Sequence, residues 1–526
     1  MRFLSRSNEP WTLDEVVPPL GKSLLAHVES LLPPSGRGPL PDGGEPLPDD
    51  PPPTEGWLSW AAGALDGVLA DRVGGSNTGN EPLAAAAAVS HLLRNKADAA
   101  RVHTAVERLV EVGGPRAMDR FVAALFADRR LDKARLATFA RWVCQHETRR
   151  EAVKAGMALL GVSGTPNDAA LIVRLGLLEE LTLYAVVALA NLLEQPEPAI
   201  FDLAQQVRSW GRIHAVRRLA GSTNAEVQRW LIRGGAANDV MPEEIAFVAA
   251  TTGHLRKALE GVADDDLLDH GGELLRALAA GGPAEDMCDY PDGAAAMRAY
   301  AVHMTGASAT PRRLECLVFL ERYLEHWAAD NPHMGADERE ALRSQFSAVL
   351  DRPRWREAVE QALASDDLFE VQLVATIAGR FGVDAGPALE AWLARQPHTA
   401  HLWQSLVATA EDQRLRDVLK LAEDLLPVSA LANGPAEDLG LGTEYDADNC
   451  LRIIVQRLED APGEGWPLVQ ASLGNRVIGV RNCALRALAA WPRDTWPDDA
   501  EEALRTALWR EPSDDVRKSI RELLDA

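Results

Sequence analysis

Apolar residues recur at spacings of three and four from residue 57 to the end of the chain, which is the period of an amphipathic α-helix. Glu180 to Leu193 is one such segment, and short connectors that are charged or contain proline and glycine separate it from its neighbours. No alternation of apolar and polar residues extends beyond a few positions, as a strand would require. The pattern therefore predicts an all-α protein.

The C-terminal part of the chain, from Asn475, contains the same helical pattern twice. Val480-Arg481 recurs 36 residues later as Val516-Arg517, and apolar residues at helical spacing follow both copies. A break bounded by prolines and one further short helix, Asp499 to Trp509, separate the two copies. A repeat of two helices is typical of an α-solenoid, in which each unit buries its apolar face against its neighbour.

The start of each repeat resembles the HEAT family, and in particular bacterial HEAT-repeat proteins. The pattern is an acid or amide just before Val-Arg. It is clearest in the segment 514–517. Val480-Arg481 shares the Val-Arg pair, and the segment 224–228 is a more distant copy with glutamine in place of arginine. The resemblance implies an α-solenoid of HEAT-like helical-hairpin repeats. It also assigns Arg481 and Arg517 to ladders of Asp and Arg between neighbouring repeats, which is a structural role.

The periodicity divides the chain into four parts. Residues 1–32 are predicted to form an N-terminal helical arm, and its helix should begin after Pro18 and Pro19. Residues 33–56 form a linker rich in proline, glycine and acid, interpreted as a disordered or extended spacer or, alternatively, as a ligand for a groove that reads polyproline II helix. Residues 57–285 and 286–526 are interpreted as two HEAT-like sub-arrays, because the helical pattern breaks between 281 and 292.

The composition narrows the classes of partner. The formal net charge of −24 and the pI near 5.0 mean that the chain repels phosphate backbones, which argues against nucleic-acid binding. Only seven of the 54 basic residues are lysines, and the rest are arginines. Because high arginine and alanine contents together reflect the coding bias of a GC-rich genome, the abundance of arginine has no functional meaning here.

The same composition indicates the compartment. The five cysteines are scattered singly, without a CxxC pair, which predicts free thiols in a reducing environment. The N-terminal residues have no apolar core of a secretory signal, and no apolar run approaches the twenty residues that span a bilayer. We therefore expect a cytoplasmic protein with no membrane insertion.

Motifs that carry chemistry are missing from the sequence. There is no glycine-rich phosphate loop, no HExxH and no nucleophile elbow. His398 and His401 lie three residues apart, but no cysteine or suitably spaced carboxylate accompanies them, so they are interpreted as exposed histidines without a metal. The sequence therefore predicts no catalytic set, no metal site and no cofactor.

One stretch has a charge opposite to that of the whole chain. Between Arg208 and Arg233 there are six arginines and a single acid, Glu226. The helical period places Ile213 on a buried face, which predicts that His214 and several arginines project outward. Either these arginines pair with acids of neighbouring repeats, or they dock an acidic peptide or a phosphate group. The candidate partner-binding residues are Arg212, His214, Arg217, Arg218, Arg229 and Arg233.

Two functions from different classes are compatible with these observations. The first is a non-catalytic scaffold or adaptor that binds a protein or peptide along the surface of the α-solenoid. The second is an enzyme or ligand-handling subunit whose site forms only in three dimensions, from the segments 264–270 and 288–290 with His326 and His333. A buried cleft with several ionisable groups would favour the second function.

Overall fold

The structure is a computed structural model that describes residues 11–13, 21–51, 60–71, 79–410 and 412–525. Within these ranges the chain forms 29 α-helices joined by turns and short 3-10 segments, and it has no strand. The bridge between Asp438 and Val477 is isolated. The prediction of an all-α protein is confirmed. None of the described helices is long and apolar enough to cross a bilayer.

The chain forms two compact units. The first contains the described residues through Gly306 together with Arg322–Arg343, and the second contains Ala307–Glu321 and the described residues from Ser344 onward. Residues 281–292, where the sequence pattern suggested a boundary between sub-arrays, lie within the first unit.

The helices are numbered in chain order. Up to Gly306 they are α1 (Leu24–Leu31), α2 (Ala64–Asp71), α3 (Glu81–Arg94), α4 (Ala99–Val110), α5 (Pro115–Phe126), α6 (Lys133–His146), α7 (Arg150–Ser163), α8 (Ala169–Leu175), α9 (Thr182–Leu192), α10 (Glu197–Ala204), α11 (Ser209–Arg217), α12 (Ala225–Trp230), α13 (Glu243–Thr252), α14 (Leu255–Glu260), α15 (Asp265–Ala280) and α16 (Gly293–His303). The others are α17 (Pro311–His326), α18 (Ala336–Leu350), α19 (Pro353–Leu363), α20 (Leu368–Ala375), α21 (Gly386–Arg395), α22 (Ala400–Thr409), α23 (Asp412–Leu425), α24 (Val428–Leu431), α25 (Asp446–Arg457), α26 (Trp466–Leu473), α27 (Ile478–Ala490), α28 (Ala500–Arg510) and α29 (Asp514–Asp525).

Local sequence signals determine where the helices begin and end. α1 begins beyond the two prolines, as predicted, and the hydroxyl of Ser23 accepts a hydrogen bond from the backbone N–H of Ala26 (3.2 Å). Gly221 and Gly234 were expected to end helices in the left-handed conformation. Their φ angles of +73° and +100° confirm this expectation, since glycine adopts that conformation without steric cost.

α7 is the central helix of the first unit. It contacts α4, α5, α6 and α9, and its apolar side chains from Ala152 to Leu160 are almost completely buried. α7 and α9 approach closely because Gly161 lies at their contact. A Cβ atom at that position would lie 2.8 Å from the Cα of Ala188. Burial on several sides explains why α7 carries a broad apolar surface and few charges.

The helices of the second unit pack in sequence order. α25 contacts α27, which contacts α29, while α24 contacts α26, which contacts α28. Consecutive helices also pack against each other in pairs, α26 with α27 and α28 with α29. Each helix therefore buries its apolar face partly against its partner in the pair and partly against the next pair along the chain.

The described part of the proline- and glycine-rich segment, residues 33–51, packs against the first unit. Arg150 donates to both carboxylate oxygens of Asp49 (2.9 to 3.2 Å) and also contacts Asp50, while Leu40 and Leu47 are buried. The carbonyl of Gly44 lies 2.8 Å from the imidazole Nε2 of His27. The sequence predicted an unpacked spacer. Over residues 33–51 the structure instead shows a docked segment, because buried leucines and arginine forks hold it.

Candidate functional site

The predicted arginine stretch lies in the first unit, on two consecutive helices, α11 and α12, and on a π-helical turn, Leu231–Gly235. Ile213, predicted to face inward, is fully buried, and so is Val227 of α12. The ring of Trp230 packs against Phe201 of α10, with ring centroids 5.3 Å apart. Both helices thus bury apolar side chains within the unit.

Three of the six candidate residues are arginines that bind to neighbouring parts of the same unit. Arg212 donates to the carbonyls of Val207 (3.0 Å) and Ala237 (3.1 Å). Arg217 pairs with the buried carboxylate of Glu244 on α13. Arg233 pairs with Asp264 (2.7 Å) and Asp266 (3.0 Å), at the start of α15. Arg217 and Arg233 thus pair with acids of following helices, as the structural interpretation of the stretch expected, whereas Arg212 binds backbone carbonyls.

His214 does not project outward, and that prediction is wrong. Its side chain is buried, its Nε2 lies 3.3 Å from the carbonyl oxygen of Gly63, and its ring lies 5.8 Å from that of Trp210. The sequence pattern assumed that α11 has a single buried face. In the structure α2 covers a second face of α11, with Gly67 of α2 against His214 and Trp210.

Arg218 and Arg229 are the two candidate residues that stay exposed. Arg218 follows the last residue of α11, and Arg229 lies in the last turn of α12. Neither guanidinium forms a hydrogen bond or an ion pair with any part of the chain that the structure describes. Their ten N–H donors are therefore free to bind a carboxylate or a phosphate of another molecule.

The residues named for an enzyme site are used for local structure. Asp264 caps α15 by accepting a hydrogen bond from the N–H of Leu267 (3.0 Å). Partial burial and the neighbouring Asp286 raise the pKa of the Cys288 thiol, which disfavours the thiolate that a nucleophile needs. The backbone N–H of His333 donates to the side chain of Asn331 (2.8 Å), and His326 is exposed beside Glu325.

The most concentrated group of buried charges was not predicted. The ammonium of Lys154 on α7 is almost inaccessible and lies within ion-pair distance of three carboxylates, on Asp66 (2.7 Å), Glu151 (2.9 Å) and Glu180 (2.6 Å). It also lies 5.6 Å from the centre of the Tyr184 ring. We call Lys154, these three acids and Tyr184 the Lys154 network; it joins α2, α7, α9 and the 3-10 turn Glu179–Leu181.

The charges of the Lys154 network are not balanced. Burial by itself would lower the pKa of Lys154, but Asp66, Glu151 and Glu180 outweigh it and raise that pKa. Burial raises the pKa of the Glu151 carboxyl, against the opposite effect of Lys154. Burial and the charge of Asp66 also raise the pKa of the Tyr184 phenol. A sequence signal did exist: Glu151 and Lys154 are charged residues three apart in a helix, and only apolar residues and glycine lie between them and in the seven positions after Lys154.

Within the described ranges, no three His, Cys, Asp or Glu side chains are arranged to hold a metal ion. Together, the fold and these sites define an all-helical protein in which Arg218, at the end of α11, and Arg229, on α12, present guanidinium groups that are unpaired among the described residues. Comparisons with known protein families, with curated proteins and with solved structures found no match to this chain.

Proposed function

We propose that this chain is a non-catalytic scaffold or adaptor, built as an α-solenoid of HEAT-like repeats, that binds an acidic protein or peptide segment through Arg218 and Arg229. The observation that carries the proposal is that the arginines of this stretch fall into two groups. Arg212, Arg217 and Arg233 bind to other parts of the same unit. Arg218 and Arg229 are exposed and unpaired among the described residues. Arginines without an internal partner are suited to bind an external anion.

The packing order of the second unit supports the solenoid part of the proposal. Contacts of α25 with α27 and of α27 with α29, parallel to those of α24, α26 and α28, are what a stack of helical hairpins requires. The single cysteines predict a reducing environment, which supports a cytoplasmic location as part of the proposal. The acidic composition favours a partner other than nucleic acid.

The docked segment 33–51 shows the same recognition chemistry inside the first unit. Arg150 binds the adjacent acids Asp49 and Asp50, and the buried side chain of Leu47 lies just before them. An acidic turn, closed by a hydrogen bond from the N–H of Asp50 to the carbonyl of Leu47 (3.0 Å), is thus held by an arginine fork and an apolar anchor. We expect Arg218 and Arg229 to bind acids of a partner in the same manner.

The test is a double charge reversal, Arg218→Glu with Arg229→Glu, in the full chain. Both side chains are exposed and unpaired in the described structure, so we expect the free energy of unfolding to change by less than about 0.5 kcal/mol. Affinity capture from the native host, followed by mass spectrometry, should lose one acidic partner. The partner should then be purified and its dissociation constant measured with both proteins.

The matched control is Arg510→Glu with Arg521→Glu, because these arginines are also exposed and unpaired within the described residues but lie in the second unit. The control changes the net charge equally and should keep the partner. If both double variants lose the partner to the same extent, its binding depends on overall charge and the proposed docking site is wrong. If the melting temperature of the variant Arg218→Glu with Arg229→Glu falls by several degrees and the variant still captures every partner, both arginines stabilise the fold and do not bind a partner.

A further inference from the structure

A polar cavity of about 420 Å³ lies in the first unit, and none of the residues that line it belongs to the arginine stretch between Arg208 and Arg233. It is formed by the end of α3, the connection between α5 and α6, and the first turn of α6. Three guanidinium groups from these three elements line it, those of Arg94, Arg130 and Arg135, together with two carboxylates and the hydroxyl of Ser90. Leu93 and Leu131 provide apolar wall.

Both carboxylates of the cavity are already bound to donors of the same unit. Asp128 pairs with Arg94 and accepts the backbone N–H of Arg130 (3.0 Å). The carboxylate of Asp132 caps α6 by accepting the N–H groups of Ala134 and Arg135, both at 3.1 Å. The donors around Asp128 lower the pKa of that carboxyl, so it stays ionised and paired near neutral pH. Arg135 also lies 3.6 Å from the carboxylate of Asp132, so each acid is matched by one arginine and Arg130 provides the net positive charge of the lining.

Arg135 is held in place and Arg130 is free. Arg135 donates to the carbonyl of Leu93 (2.8 Å), and its guanidinium lies 5.7 Å from the centre of the Trp11 ring. The side chain of Arg130 is exposed and forms no hydrogen bond or ion pair within the described ranges. The cavity thus combines an arginine that is already positioned with one whose donors are all available.

The sequence around the cavity is basic although the whole chain is acidic. The two segments that meet there, 94–101 and 127–135, contain seven basic and three acidic residues. Two of the seven lysines of the protein, Lys96 and Lys133, lie in them. Arg94 and Arg135 join the segments through Asp128 and the carbonyl of Leu93. A local excess of positive charge in a concave site raises the local concentration of anions.

We propose that this cavity binds the phosphoryl group of a small anionic ligand. Guanidinium groups bind phosphate oxygens with two parallel hydrogen bonds, and a cavity of this size accepts a ligand larger than a single phosphate. In this arrangement Arg130 closes on the phosphoryl oxygens, Arg135 provides a fixed charge at the rim of α6, and Ser90 is within the lining as a further donor. The site is separate from the proposed peptide site, and neither proposal depends on the other.

The test uses inorganic pyrophosphate as the probe and isothermal titration calorimetry on the full chain at low ionic strength. The wild type should bind it with a measurable dissociation constant. Arg130→Gln should raise that constant about tenfold or more, because it removes at least one hydrogen bond between charged groups. The control is Arg129→Gln, which removes the same charge from the adjacent residue outside the cavity lining. It should change the constant less than about twofold.

Three outcomes would overturn the proposal. The first is a wild-type protein that does not bind pyrophosphate at millimolar concentration. The second is an equal loss for Arg129→Gln and Arg130→Gln, because binding would then follow overall charge rather than the cavity. The third is equal or tighter binding of citrate, which would make the site one for carboxylates. Thermal unfolding of both variants should coincide with that of the wild type, since both side chains are exposed.

Discussion

Each unit of the molecule buries a cluster of charges, and the two clusters are balanced differently. In the second unit Arg481 and Glu511 are both almost completely buried and form two parallel hydrogen bonds of 2.8 Å. The remaining guanidinium nitrogen of Arg481 donates to the carbonyls of Asn475 (2.8 Å) and Arg476 (3.1 Å). One cation therefore meets one anion, and backbone carbonyls accept the other donors.

The Lys154 network of the first unit has one cation for three carboxylates. The excess of negative charge is adjacent to a further buried acid, Glu179, whose carboxylate accepts the N–H of Arg208 (2.9 Å). Burial raises the pKa of Glu179 to about 7, although two backbone hydrogen bonds act in the opposite direction. The comparison teaches that buried charges can pair one to one, as in the second unit, or leave acids in excess, as in the first unit, where burial raises the pKa of Glu151 and of Glu179.

The largest effect is expected for Arg481→Met. It leaves the carboxylate of Glu511 buried without its cation, so the free energy of unfolding of the second unit should fall by about 3–5 kcal/mol, measured by urea denaturation. The control, Arg505→Met, removes an exposed partner of Glu501 and should cost less than about 1 kcal/mol. A double variant, Arg481→Met with Glu511→Leu, should recover most of the loss. If it does not, the loss in the single variant is not explained by an unpaired buried carboxylate alone, and the ion pair itself stabilises the unit.

Lys154→Met should destabilise the first unit by about 2–3 kcal/mol at pH 8, because three carboxylates lose their common cation. The loss should be smaller at pH 5, since burial raises the pKa of the Glu151 carboxyl, which can take up a proton and become neutral. Urea denaturation of the variant and the wild type at both pH values measures this difference. An equal loss at both would mean that protonation of Glu151 does not relieve the excess of negative charge.

Glu179 should make the stability of the first unit depend on pH. The folded state holds the proton of this carboxyl up to about pH 7, whereas the unfolded chain releases it near 4.5, the ordinary pKa of a glutamate. The folded state thus binds more protons in this window, and its stability falls as pH rises. Relative to Glu179→Gln, the wild type should lose on the order of 2 kcal/mol between pH 4.5 and 7. Parallel pH profiles of the two proteins would contradict the assignment.

The smallest of these effects on stability is expected for Arg150→Ala, next to the Lys154 network. It removes the fork that holds Asp49 and Asp50, at the cost of about 1 kcal/mol, because both partners are partly exposed. Limited proteolysis should then cut within residues 33–51 several times faster than in the wild type. The control is Arg108→Ala, which removes an exposed pair with Glu111 and should leave the cleavage rate unchanged. Equal rates in all three proteins would show that the other contacts of the segment, such as the buried leucines and the pairing of Gly44 with His27, hold it without Arg150.

Part of the fold follows from local sequence signals. The spacing of apolar residues predicted an all-helical chain, and the structure confirms it over the described residues. Gly221 and Gly234 end helices as expected, because the left-handed conformation is a property of a single residue and its immediate neighbours. Arg481 was assigned a structural role from its place in a repeat, and its burial against Glu511 is consistent with that role.

The candidate site was less predictable because its residues are selected by contacts between distant segments. Six residues of the arginine stretch looked equivalent in sequence. Arg217 pairs with Glu244, Arg233 pairs with Asp264, and Arg212 binds the carbonyl of Ala237, so these three are not available to a partner. His214 is buried under α2, which begins about 150 positions earlier in the chain. A helical period shows which face of a helix is apolar, but not how many other faces are covered.

By itself, the sequence determined the helical class, the ends of several helices and the overall acidity, because these depend on residue type and short-range spacing. Only the tertiary structure decided which charges are buried together and which remain exposed. Lys154 meets Asp66 and Glu180, and Arg94 meets Asp128, through packing of helices that are far apart in sequence. Electrostatic interactions act over the distances between packed helices, so the sites of this protein are defined by neighbours in space rather than along the chain.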